Sequence, residues 1–168
     1  MRKFILNFFM WIILFVVIFI SIFSHSTFKI FRNIDVLLIT SSILMFSGMI
    51  WTCLIFTFIY SLILDSIFMN FLGINVMCYL LVLLVLFYLC KNMNTDNLLT
   101  EIFILFVACL FKNLIYTLLV FFFYWDGRFY FLPTGIFLQI VFTICTGAAV
   151  FWIIDLLRSG IVRWQNTK

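Results

Sequence analysis

The chain has 168 residues, of which 67% are hydrophobic, 21% aromatic and only 10% charged, with a formal net charge of +4. A soluble domain is typically about 25% charged and leaves roughly 30% of its unfolded surface in water, so this much apolar side chain cannot be hidden in a soluble fold. The composition excludes a water-soluble protein and leaves too few polar residues for a second, soluble domain; it predicts a single transmembrane domain over residues 1–168 with lipid as its solvent.

A helix needs about 20 apolar residues to cross the roughly 30 Å hydrocarbon layer. Residues 4–23 carry no charge and follow Arg2 and Lys3. The run is longer than the roughly 7–15 apolar residues of a signal peptide, so an uncleaved first span is predicted. A polar connector at 24–33 follows. The next uncharged run, 36–64, would be about 44 Å long as one helix, too long for a comfortable crossing and too short for two. Ser47-Gly48 lies near its middle, where a tight turn suits glycine, giving spans at about 34–47 and 49–64. One tilted helix is the alternative. Further spans are predicted at 73–90, 102–125 and 136–154, with polar connectors at 91–97 and 125–134. The expected fold is therefore an all-α membrane bundle of six transmembrane helices, or five if 36–64 is a single span.

Loop charge bears on that choice, because Lys and Arg stay cytoplasmic. Six spans starting from an inside N-terminus place Arg2, Lys3, Lys91, Arg158, Arg163 and Lys168 inside and Lys29, Arg32 and Arg128 outside. Five spans starting outside give the same ratio. The basic residues ahead of the first span favour an inside N-terminus, and with it six spans and two cytoplasmic termini.

Few polar residues interrupt the spans. Asp35, Asp65 and Asp155 lie at span ends, where a charge reaches water at modest cost, and are expected to be interfacial stops. Lys112 differs, since it falls halfway along its helix beside Asn113. A charge at that depth usually faces protein and finds a partner, for which Asp65 and Gln139 are candidates; structural pairing or snorkelling is expected ahead of an ion or ligand site. Gly147, Ala148 and Ala149 follow Thr146 in the one dense small-residue patch, expected to serve internal helix packing.

Chemistry-bearing motifs are missing. The five cysteines (Cys53, Cys78, Cys90, Cys109, Cys145) sit in apolar runs without a C-x-x-C pair and behave as small core hydrophobes rather than a disulfide framework. One histidine, His25, makes no zinc cluster. There is no H-E-x-x-H, G-x-S-x-G or P-loop pattern, and the carboxylates are scattered over different connectors. No enzyme activity, no cofactor and no nucleic-acid partner are expected.

One stretch carries a resemblance. Leu64-Asp65 closes an apolar run, and Leu72-Gly73-Ile74-Asn75 opens the next, which contains Tyr79. Together with Phe31-Arg32-Asn33-Ile34-Asp35-Val36-Leu37-Leu38 at the entry to the second span, this resembles the rod shape-determining protein MreD family of bacteria, over nearly the whole chain. The family's entry proline is missing here, and glycines usual in the third span are replaced by residues such as Thr57 and Ser61. Physically, Gly73 allows a sharp turn, Asn75 can cap the new helix, and Asp65 on the preceding connector can accept from the same amides. Asp65, Gly73 and Asn75 are thus expected to lock a turn or present a partner surface.

The resemblance implies a non-enzymatic scaffold of the elongation machinery in the bacterial cytoplasmic membrane. It implies MreC-like and other elongation-complex membrane proteins, the actin-like MreB filament and the lipid bilayer as partners. It also implies a compact bundle similar to the substrate-binding subunits of energy-coupling-factor vitamin transporters. Membership of that transporter class is the alternative function. Such subunits usually present alanine or glycine at four-residue spacing on the first helix, and residues 4–23 contain neither.

Overall fold

The computed structural model describes residues 11–12, 14–17, 19, 34–67, 73–93, 95, 97–123 and 133–166. Outside the described residues lie most of the predicted first span, the connector at 24–33, most of that at 125–134, His25, and the basic residues Arg2, Lys3, Lys29, Arg32, Arg128 and Lys168. Regular structure among the described residues is entirely α-helical. Residues 11–12, 14–17 and 19 are helical, and five further helices follow: α1 (Val36–Phe46), α2 (Ile50–Ile67), α3 (Ile74–Asn92), α4 (Leu98–Phe123) and α5 (Pro133–Asn166). In lipid no water can satisfy backbone amides, so a helix, which satisfies its own, is the form these apolar runs take.

Four of these helices are long and apolar enough to cross a membrane: α2, α3, most of α4, and the 135–156 portion of α5. The protein is a multi-pass helical membrane protein. Apolar side chains cover its outside, among them Trp51, Leu84, Phe122 and Phe137, as expected where the solvent is itself apolar.

The run at 36–64 is broken. Gly48 adopts φ +73°, a left-handed conformation that glycine takes without a Cβ penalty, and Ser47 ends α1. The expected span at 34–47 is a shorter helix than predicted. α1 has 11 residues and is about 16 Å long, half the hydrocarbon layer, because it starts at Asp35 inside the protein rather than at a membrane face.

α1 is the hub of the bundle, packed against each of α2, α3, α4 and α5. Leu37, Leu38, Ile39, Ser41, Ser42, Leu44 and Met45 are buried, which leaves the helix almost no lipid-facing side. The neighbouring α2 turns Cys53, Thr57, Ser61 and Asp65 inward at four-residue spacing, all buried. These small side chains allow close approach, and the Cys53 thiol reaches the Ser41 carbonyl oxygen at 3.3 Å. The hydroxyls of Ser41, Ser42 and Ser61 donate to carbonyls of their own helices, at 2.8, 2.8 and 2.7 Å, so they enter an apolar interior satisfied. Gly147 does a related job on α5. A Cβ there would run into the Leu105 side chain of α4, and Ile39 of α1 lies just beyond. Ala148 is half-buried but Ala149 faces outward, so the small-residue patch does not pack internally as a whole.

Candidate functional site: two buried carboxylates

The first polar cluster forms where α1 begins. Asp35 is 6% exposed and caps α1, its Oδ1 accepting from the Leu38 amide at 3.0 Å. Its own amide donates to Thr143 Oγ1 of α5 at 3.0 Å. The Tyr79 hydroxyl of α3 donates to the same carboxylate, 2.9 Å from Oδ2 and 3.0 Å from Oδ1. From α4, Lys112 Nζ approaches Oδ2 to 2.9 Å and also stands 5.6 Å from the centroid of the Tyr79 ring. One residue thus ties its own helix to three others, α3 and α4 through its carboxylate and α5 through its amide.

Neither Asp65 nor Gln139 is the partner of Lys112; Asp35 is. Nor is Asp35 an interfacial stop, since it is buried near the middle of α4. An isolated Asp or Lys at the bilayer centre costs about 2.5–3.5 kcal/mol. Pairing, with a hydroxyl and an amide completing the carboxylate's partners, removes most of that cost. Asn113 stays out of the cluster and donates to the Cys109 carbonyl of its own helix at 2.9 Å. Cys78 and Cys109 are buried, whereas Cys145 faces outward, contrary to a core role for all five cysteines.

The second cluster closes the turn from α2 to α3. Asp65 is 1% exposed and lies in the last turn of α2, not on a connector. The negative end of a helix dipole is a poor place for a carboxylate. Here the start of α3 offsets that penalty with four donors: the Gly73 amide at 2.9 Å, the Asn75 amide at 3.2 Å, the Asn75 Nδ2 at 2.7 Å and the Val76 amide at 3.4 Å. Gly73 sits at the N-cap with φ +107°, where any other residue would be strained. Asn75 does not cap α3 as an acceptor; it donates to Asp65, because the carboxylate already occupies the amides a cap would take.

A cavity of about 550 Å³ opens beside α1, between Leu14 and Val17 on one side and Thr146 and Val150 of α5 on the other. Among the described residues its lining is apolar apart from Thr40, Ser47 and Thr146, and none of it is charged. The two carboxylates are therefore internal fasteners and do not line this space.

No protein-family model, no curated protein and no solved structure matches this chain.

Proposed function

We propose that this chain is a non-enzymatic membrane scaffold of the bacterial rod-elongation complex, needed for cell shape and lateral wall synthesis. The observation that carries the reading is the turn between α2 and α3. Asp65, Gly73 and Asn75, the residues on which the resemblance to the MreD family rests, converge in one hydrogen-bonded unit. In this reading the protein lies in the cytoplasmic membrane with six membrane-embedded segments and both termini cytoplasmic, in a bundle similar to the energy-coupling-factor subunits. MreC-like and other elongation-complex membrane proteins bind its helices laterally, and the MreB filament is reached directly or through them.

A scaffold acts by stoichiometric contact, so its loss should make rods widen and round up without blocking septation. Asp65→Ala and Gly73→Val, which undo the turn, should do the same when each replaces the native protein at equal abundance. Cell width in rich medium is the measurement. Rods of normal width after depletion would overturn the scaffold, and a growth defect rescued by an added vitamin would replace it with the transporter subunit.

A further inference from the structure

We propose that the Asp35–Lys112 pair decides how residues 36–64 are threaded through the bilayer. Two threadings suit this apolar run. One is a single tilted helix of about 44 Å with Val36 at a membrane face. The other, seen here, is a half-span, a turn at Ser47-Gly48 and a full span. Both keep the same apolar run out of water, so hydrophobicity alone does not choose between them.

The contacts of α1 set its depth. Asp35 meets Thr143, Ile39 lies against Gly147, and the Phe46 ring packs edge-on against Phe151 at 5.4 Å. α1 thus runs parallel to α5 along the second half of that helix's apolar portion, 135–156, and its head stays at mid-depth. Lys112, between Leu98 and Phe123, holds it there. In the single-helix threading Asp35 would leave for a membrane face and abandon an ammonium inside the bilayer. The charge on α4 therefore selects the half-span. Because Lys112 is made long after α1, the threading of α1 is completed only once α4 is in the membrane.

The test is labelling by a membrane-impermeant maleimide from both faces, in right-side-out and in inverted vesicles, with the full chain carrying one added cysteine at a time and the unaltered chain as background. Ser47→Cys, at the exposed turn, should label, and Val36→Cys should not. Labelling at position 36 in the otherwise native chain overturns the half-span directly. The same two positions are then read in Asp35→Asn/Lys112→Met, which keeps a capping side chain at 35 and leaves no unpaired charge. The expected result is an exchange, with labelling gained at 36 and lost at 47. Lys112→Arg, which keeps the charge, should retain the native pattern. A double variant that accumulates with the native pattern shows that the pair does not choose the threading, as does any loss of the pattern in Lys112→Arg. Should the double variant not accumulate, the pattern in Lys112→Arg and in the native chain decides.

Discussion

Asp35 and Asp65 are both buried, both belong to helix ends and both accept several hydrogen bonds, yet they are neutralised in different ways. Asp65 draws its donors from a turn and the first residues of the next helix, all within eleven residues along the chain. Besides the Leu38 amide of its own helix, the Asp35 carboxylate draws on Tyr79 and Lys112, which arrive from two helices far away in sequence. At the end of a span, oriented amides suffice for a carboxylate. Near mid-membrane a full counter-charge is needed, and only another helix can deliver it.

The contrast makes the Asp35 cluster the more costly to break. Lys112→Met fills the volume but strands Asp35 without its cation, and should lower stability by about 3–5 kcal/mol, the range for breaking a buried pair. Unfolding in mixed micelles would measure it. Asp65→Ala orphans donors that lie closer to the membrane face, so a smaller loss of about 2–3 kcal/mol is expected in the same assay. Equal losses, or the reverse order, would break the comparison. Tyr79→Phe sharpens it: the ring beneath Lys112 remains and only the hydroxyl's bond to Asp35 goes, for about 1 kcal/mol. If that variant were as unstable as Lys112→Met, the tyrosine and not the ion pair would be the main support of Asp35.

The same contrast marks what could be read from the residues alone. Composition and the lengths of apolar runs determine that this is a helical membrane protein, because a bilayer admits few other arrangements of such a chain. Local order also determines the grouping of Asp65 with Gly73 and Asn75, since short-range donors act over one or two turns, and it marks Ser47-Gly48 as the place where the 36–64 run can break. Even so, Asn75 was legible as a member of the turn but not as a donor, because its role depends on where the Asp65 carboxylate lies. The partner of Lys112 could not be read at all. Asp65 and Gln139 are the acceptors the sequence suggests, with Asp35 set aside as an interfacial stop, and only the packing of α1 among α3, α4 and α5 brings Asp35 within 2.9 Å. Likewise Gly147 and Ala149 look alike in sequence, but one lies against Leu105 and the other faces outward. Helix formation in lipid is a local matter of backbone hydrogen bonds, whereas pairing across helices depends on rotation and depth, which the chain acquires only when the bundle closes.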